Sequence, residues 1–480
     1  MSVTRDTPGE HEHANRHWYR WVVFATVVSG TFMVNVDSSV MNVTLPVLER
    51  EFHVGPDVLQ WVISAYLLMI TGILPVIGSL SDRQNRKTVF IIGVGIFTLG
   101  SILCAFSDSI TQLILFRILQ SVGGAVIMGN VMSIVSFIFP EGQRGRPLGI
   151  VGSVVAAGTI VGPSLGGILI SIYSWRSVFW VNVPIGIVSM IVATFVLSPI
   201  HSRKQLGKFD IPGASMFFLG IVSLMLWISE GATWGWGSVQ SLLLTVLSAL
   251  ALAAFIWREL KTQNPVIDLS FFRSGAFTLG NLTGYLSYVM MMFPGIVLPL
   301  YMHDVLHIPT AHIGLLLTPQ ALSMIIFSPI GGWMADKFGV NLPAAVGLSL
   351  GTAGLGLMAA LGIGASYWQI VLALSVFGLG MGLFTSPNNV SVLESVPVEK
   401  SGLTGSLMAT VRNFGRVSGV AMTILFLQMS GSTLSTMPGF SEASSFAFKM
   451  AAGIGMVGIL LTVIRWTTRQ SVRKTAKANL

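Results

Sequence analysis

The chain has 480 residues, of which 52% are hydrophobic and only 10% are charged. Because a soluble domain carries about 25% charged residues, this composition excludes a water-soluble enzyme and indicates a membrane protein. The formal net charge of +8 does not indicate a nucleic-acid partner, since most of the positive charge falls in alternate loops between apolar segments.

The start of the chain and its single cysteine limit the protein class further. Residues 1–17 are polar and of mixed charge, and the apolar run after them has no small-residue cleavage site. It is therefore predicted to be a retained first span and not a signal peptide. Cys104 lies inside an apolar segment, so the sequence has no disulfide framework and no cysteine spacing typical of a metal site. We expect no cofactor.

Fourteen apolar segments are long enough to cross a bilayer, which takes about 20 residues of α-helix. The predicted spans are residues 21–41, 58–80, 89–106, 110–134, 148–172, 178–197, 211–229, 239–257, 276–301, 312–334, 342–363, 368–392, 403–427 and 446–465. Only Arg50 and Arg176 fall in the loops of one side, whereas most other Lys and Arg residues fall in the loops of the other. By the positive-inside rule the basic side is cytoplasmic, and an even number of spans places both termini there. We expect a multi-pass protein of the inner or plasma membrane.

Part of the sequence repeats at an offset of about 254 residues. The matching residues are Gly78 and Asp82 with Gly332 and Asp336, Leu45 and Pro46 with Leu298 and Pro299, and His53 with His307. Both copies enter the membrane in the same orientation, which predicts two six-helix bundles with a substrate site near the midplane between them. The predicted organisation is an N-terminal segment (1–20), a bundle (21–200), a two-helix insertion (201–272), a second bundle (273–466) and a basic tail (467–480).

The first six predicted spans contain two charged residues. Asp37 lies in the first span, and a carboxylate in an apolar helix is costly unless it faces a wet cavity or a partner. Arg117 lies in the fourth span. Asp37 is roughly 24 Å from the inner start of its span and Arg117 roughly 10 Å from the outer start of its own, so both fall at similar depth. They form a candidate proton-coupling pair; the alternatives are a fixed hydrogen-bond network around Asp37 and a purely structural ion pair.

The loop after the second span and the fifth span carry two further motifs. The loop contains Gly78, Asp82, Arg83 and Arg86, and Asp82 can pair with a cation or with the positive end of a helix dipole. A plain topology loop would not need this carboxylate. Glycines spaced by four in the fifth span form a smooth packing face, and packing alone can explain them. The residues of this span motif are Gly158, Gly162, Pro163, Gly166 and Gly167.

These segments resemble the fourteen-helix drug:proton antiporter subfamily of the major facilitator superfamily, over essentially the whole chain. The resemblance implies proton coupling by Asp37 and Arg117 and gating by the loop around Asp82. It also implies that the protein is an antiporter and not a symporter, because the fifth-span motif is associated with antiporters. Two positions depart from the subfamily pattern. Asn85 stands where glycine is usual, and Arg416, one turn after Arg412, stands where a small residue is expected.

Candidate residues for a substrate cavity are polar or flexible positions within the spans. Three consecutive methionines follow Val289, and methionine suits a pocket that accepts varied apolar ligands. Consecutive residues of a helix cannot all face one cavity, so the alternative for these methionines is ordinary packing. Met290 is also roughly where the repeat would place a counterpart of Asp37, so the coupling acid is expected in one half only. The candidates are Asn42, Gln60, Tyr66, Gln120, Met290, Met291, Phe293 and Arg412.

The leading interpretation is a proton-coupled exporter of lipophilic or cationic compounds that works by alternating access and functions as a monomer. Its partners are then a small-molecule substrate, protons and the lipid bilayer, and no nucleic acid. Enzyme activity is not expected, because the sequence has no paired catalytic acids, His-rich metal cluster or nucleophile motif. The alternatives are a carrier of the same fold for a lipid, siderophore, amino acid or metabolite, and a non-transporting membrane sensor.

Overall fold

A computed structural model describes residues 17–197, 209–430 and 437–478. These ranges contain fourteen long helices and no strand. The helices are α1 (His17–Phe52), α2 (Pro56–Ser81), α3 (Arg86–Ala105), α4 (Ile110–Ile138), α5 (Gly145–Ile172), α6 (Asn182–Val196), α7 (Ile211–Trp234), α8 (Val239–Glu259), α9 (Gly275–Asp304), α10 (Thr310–Phe338), α11 (Asn341–Ala359), α12 (Tyr367–Leu393), α13 (Ser401–Met429) and α14 (Met437–Ala478). A four-residue helix, Ser177–Trp180, precedes α6, and 3-10 turns precede α9 and α13.

The predicted all-α fold and helix count are confirmed, with one helix that differs in character from the rest. Among the described residues, thirteen helices are long and apolar enough to cross a bilayer. The fourteenth is α13, which has 29 residues but carries Arg412, Asn413 and Arg416 near its middle. Most of the predicted segment 1–20 lies outside the described residues, as does the start of the predicted insertion.

Polar residues at the first turns determine where several helices begin. Asn85 has an extended backbone and accepts a hydrogen bond from the Lys87 N–H at 3.1 Å, so it caps α3. This position therefore does not require the glycine that is usual in the subfamily. Ser109 caps α4 in the same way through the N–H of Gln112 at 3.3 Å.

Helix contacts define two compact units. The first contains Met1–Glu141, Val161–Phe209 and Pro397–Ser406, and the second contains Gly142–Ile160, Asp210–Val396 and Leu407–Leu480. In the first unit α4 packs against α1, α2 and α3, while α6 packs against α1 and α3. In the second unit α12 packs against α9, α10 and α11, and α14 packs against α9 and α11. The division at residues 200 and 273 stays a prediction.

Helices α7 and α8 form a hairpin within the second unit. The rings of Phe217 and Phe255 meet edge to face at 5.2 Å. At the base of the hairpin, Asp210 accepts hydrogen bonds from Arg258 and from the N–H of Gly213. The Arg258 hydrogen bond holds the pKa of Asp210 below its ordinary value. This carboxylate therefore contributes stability above its ordinary pKa, and the contribution is lost as the pH falls through the lowered value.

The sequence repeat has a backbone counterpart. Across the described residues, His53 and His307 are the non-glycine residues with a left-handed backbone, with φ angles of 52° and 53°. His53 directly follows α1 and His307 follows α9. Such a backbone is uncommon for residues other than glycine, so its recurrence at the repeat offset supports a common origin for the two segments.

Close packing of α3 and α4 depends on Gly123. A methyl group at this position would collide with the Phe97 backbone nitrogen and would lie 2.7 Å from the Gly93 carbonyl oxygen. Backbone atoms cannot move aside as a flexible side chain can, so the two helices would have to separate. The absence of a side chain at residue 123 therefore sets the distance between α3 and α4.

We expect Gly123→Ala to destabilise the protein by about 1–3 kcal/mol, because overpacking displaces backbone. The measurement is the thermal unfolding midpoint of the purified protein in detergent. Gly356→Ala is the matched control, since a methyl group there meets no atom within 4 Å. Equal midpoints for the two variants would contradict the packing argument.

Candidate functional site

The carboxylate of Asp37 is buried in the first unit and held by three side chains, two from α4 and one from α6. Arg117 Nη1 donates to Oδ2 at 2.5 Å, an ion pair with both side chains almost fully enclosed. Gln120 Nε2 and Asn182 Nδ2 donate to Oδ1 at 2.9 and 2.7 Å. The contact between Asp37 and Arg117, which the sequence left open, is therefore present.

Further groups hold these donors in place. Ser101 Oγ accepts from Gln120 Nε2 at 2.7 Å, and Arg117 Nη1 donates to Gln120 Oε1 at the same distance. The Arg117 guanidinium lies 4.0 Å from the centre of the Tyr66 ring, a cation–π contact. Its Nε donates to the Val62 carbonyl at 3.4 Å. We refer to Asp37 with its hydrogen-bonded side chains as the Asp37 network. Its members are Asp37, Ser101, Arg117, Gln120 and Asn182.

Sequence reasoning missed the part played by Asn182 and Ser101. The sequence gives a weak indication that Asn182 is functional, because it is an amide at the start of an otherwise apolar span. For Ser101 the sequence gives no such indication, since serine is common in membrane helices and usually donates a hydrogen bond to the backbone of its own helix. Ser101 does donate to the Phe97 carbonyl at 3.0 Å, which leaves its oxygen free to accept from Gln120. The structure therefore adds α3 and α6 to a site that the sequence placed on α1 and α4.

Asp82 occupies the N-terminus of α13. Its Oδ1 accepts the Gly402 N–H at 2.9 Å and its Oδ2 accepts the Leu403 N–H at 2.8 Å. These N–H groups lie in the first turn of the helix, where no intrahelical acceptor exists and the helix dipole favours negative charge. Gly78 permits the approach, since a methyl group there would lie 2.7 Å from the Gly402 carbonyl oxygen. We call this contact the Asp82 cap.

Arg86 completes the cap from the first turn of α3. It pairs with Asp82 at 3.0 Å, donates to Ser133 Oγ, and lies 3.9 Å from the centre of the Phe137 ring. Burial raises the pKa of Asp82 above its ordinary value, and the Arg86 charge opposes this shift. Arg83 lies beside the cap, with its guanidinium 5.6 Å from the Phe209 ring centre.

The second unit repeats this arrangement with Asp336. Its two carboxylate oxygens accept the N–H groups of Gly145 and Arg146, at 2.7 and 3.0 Å, in the first turn of α5. Gly332 permits this close approach as Gly78 does at the Asp82 cap, because a methyl group at Gly332 would collide with the Gly145 carbonyl. The sequence repeat therefore corresponds to a repeated structural device, which we call the Asp336 cap.

The glycine motif of α5 is divided between packing and exposure. A methyl group at Gly162 would collide with the Ser39 hydroxyl, and one at Gly166 would lie 2.9 Å from the Val43 side chain. Both glycines thus pack against α1. Gly158 is buried and Pro163 half-buried, whereas Gly167 is exposed and a methyl group there would meet no atom within 4 Å.

The candidate cavity residues fall into three groups. Tyr66 and Gln120 are buried at the Asp37 network. Met290 and Phe293 are fully enclosed in the hydrophobic core of the second unit, and Met291 packs partly buried against it. The residues with accessible surface are Asn42 and Gln60, which are exposed, and Arg412, which is half-buried.

Across the described parts of the chain, no group of three or more His, Cys, Asp or Glu residues is arranged to hold a metal ion.

Comparisons with known proteins agree with this architecture. A family model described as Major Facilitator Superfamily matches residues 27–420. The chain is 33% identical over 449 residues to the riboflavin transporter RibZ of Clostridioides difficile, covering 92% of this chain and 97% of RibZ. It is 31% identical over 395 residues to the multidrug resistance protein Stp of Mycobacterium tuberculosis, covering 82% of this chain and 73% of Stp. The crystal structure of the human organic anion transporter MFSD10 shares the fold, with a TM-score of 0.68 at 15% identity, covering 92% and 99% of the two chains.

We expect Asp82→Ala to lower stability by about 3–5 kcal/mol, because the buried Arg86 charge would lose its partner and α13 would lose its cap. Thermal unfolding of the purified protein measures the loss. Asp57→Ala, which removes an exposed carboxylate from the first turn of α2, is the control and should change little. In Asp82→Ala/Arg86→Met part of the loss should be recovered, since no unpaired charge remains. A double variant no more stable than Asp82→Ala would contradict the charge contribution.

Proposed function

The chain belongs to the Major Facilitator Superfamily, a family of membrane transporters, and from this premise we propose that it is a proton-coupled exporter of small molecules. The observation that carries the proposal is the Asp37 network. Asp37 is an ionisable side chain enclosed inside a membrane-spanning helix, and such residues mark proton and ion pathways in transporters.

The network provides a physical reason for coupling. While Asp37 is ionised, its charge balances that of Arg117, and three donors satisfy its oxygens. Protonation removes the negative charge and converts one acceptor oxygen into a donor, so Arg117 is left unbalanced in a poorly solvated site. The network must then rearrange or admit an anion or water. A proton on Asp37 therefore favours a different conformation from the one in which the ion pair is closed.

We propose that the Asp82 and Asp336 caps stabilise the conformation described here and open in the alternate one. Each cap joins a loop aspartate to the first turn of a helix distant in sequence. Opening such a cap exposes two N–H groups of a helix N-terminus, which water can satisfy. The basic loops, both termini and the caps are proposed to face the cytoplasm, and the protein to act as a monomeric antiporter of the cell membrane.

The relatives support two kinds of cargo. Stp is named as a multidrug resistance protein, which favours drug efflux by the fourteen-helix antiporter subfamily. RibZ is named as a riboflavin transporter, which favours the second candidate, a carrier of a physiological solute. Expression in an efflux-deficient host separates them. Raised tolerance to several unrelated toxic compounds supports drug efflux, and unchanged tolerance across a broad panel supports the second candidate.

We expect Asp37→Asn to abolish substrate movement driven by a pH gradient, because asparagine keeps the size and an acceptor oxygen but binds no proton. Flux of a transported compound into proteoliposomes under an imposed pH gradient is the measurement. Glu51→Gln, which neutralises an exposed carboxylate, is the matched control and should retain wild-type flux. Wild-type flux in Asp37→Asn would remove Asp37 from the coupling mechanism.

A further inference from the structure

Two arginines lie one turn apart in the middle of α13. Arg412 and Arg416 follow the start of this 29-residue helix by roughly 16 and 22 Å, so neither is close to an end. Both are half-buried. An arginine stays protonated under all physiological conditions, so this segment carries two positive charges at membrane depth. We call Arg412 and Arg416 the arginine pair.

The arginine pair has no carboxylate partner among the described residues. Arg86, Arg117 and Arg258 each form an ion pair with an aspartate, whereas neither member of the arginine pair does. The Nε atom of each is enclosed and without a hydrogen-bond partner in the described part of the chain. Helix α13 contains no Asp or Glu, and α9 has none before Asp304 at its far end.

Helix α9 places aromatic rings beside these charges. Gly415 and Gly419 allow the close approach, because methyl groups there would lie 2.9 and 2.8 Å from carbonyl oxygens of α9. The Arg416 guanidinium lies 5.9 Å from the centre of the Tyr288 ring. One turn away, the rings of Tyr285 and Phe414 stack at 5.6 Å with 28° between their planes.

The arrangement lacks one component, which is a negative charge. Like charges one turn apart repel each other, and desolvated charge is unfavourable without a partner. A tyrosine ring near Arg416 offsets only part of this, since a cation–π contact is weaker than a charge-assisted hydrogen bond. Guanidinium groups present parallel N–H donors that match the two oxygens of a carboxylate or phosphate.

We propose that the arginine pair binds the acidic group of an organic anion, a carboxylate or a phosphate, whose aromatic or apolar body contacts Tyr285 and Tyr288. The substrate class is therefore anionic amphiphiles, and not the lipophilic cations that the subfamily resemblance implies. This assignment rests on the proposed function for the transport step, but the binding step stands independently of any proton gradient.

The test is equilibrium binding of two dyes with the same ring system and opposite charge. Carboxyfluorescein is the anionic probe and rhodamine the cationic one, and fluorescence polarisation of each dye is measured with purified full-length protein in detergent. We expect the wild type to bind carboxyfluorescein in preference to rhodamine. Arg412→Gln and Arg416→Gln should each weaken carboxyfluorescein binding about 10- to 100-fold, the effect of losing one charge-assisted hydrogen-bonding group.

Controls separate the effect from folding and from general charge. Lys261→Gln removes an exposed cation and should bind carboxyfluorescein like the wild type. Arg416→Lys keeps the charge but not the paired donors, so its affinity should fall between those of wild type and Arg416→Gln. The thermal unfolding midpoint of each variant reports its folding.

Three results would overturn the assignment: no binding of carboxyfluorescein by the wild type, preference for rhodamine, or unchanged affinity in both glutamine variants. Anion binding by the arginine pair without pH-driven flux would refute the proposed function alone. Proton-driven flux together with unchanged carboxyfluorescein affinity in both glutamine variants would refute only the anion site.

Discussion

The burial of the Asp37 carboxylate is the constraint on which the first unit depends. A charge removed from water is tolerated only if a counter-charge and hydrogen bonds replace the lost solvation. Arg117 supplies the charge, and Gln120 and Asn182 supply the hydrogen bonds. Ser101 on α3 accepts a hydrogen bond from Gln120, so side chains of α1, α3, α4 and α6 must keep their relative positions. This requires α3 and α4 to pack closely, with no side chain at Gly123. A buried ion pair is weak evidence for stability, and we propose that the role of the Asp37–Arg117 pair is functional.

The second unit shares the architecture of the first without sharing its acid. The Asp336 cap and the left-handed His307 reproduce the Asp82 cap and His53 at the repeat offset. At the depth where Asp37 would recur, the chain has Met290, which is enclosed in a hydrophobic core. This unit instead carries two half-buried arginines, Arg412 and Arg416, near the middle of α13. The structural devices at the helix ends are thus duplicated, whereas the ionisable groups at membrane depth have diverged.

Features that follow from position along the chain could be predicted from the sequence. The helix count follows from hydropathy, and the similar depth of Asp37 and Arg117 follows from the fixed rise of an α-helix. Rotation about each helix axis could not be predicted, because it depends on neighbouring helices. For this reason the sequence does not indicate that Ser101 faces Gln120. For the same reason Met290 and Phe293, which the sequence offers as cavity candidates, lie in the hydrophobic core. The polarity of α13 is also visible in the sequence, since Arg412, Asn413 and Arg416 lie near the middle of this helix.

We propose that Asp37 takes up a proton while the protein remains folded. Infrared difference spectra of the purified protein, recorded between neutral and acidic pH, detect the carbonyl stretch of a protonated carboxylic acid. We expect that acidification of the wild type and of Glu51→Gln produces a band with a component that is absent in Asp37→Asn. A band of equal intensity in Asp37→Asn would show that the proton binds elsewhere.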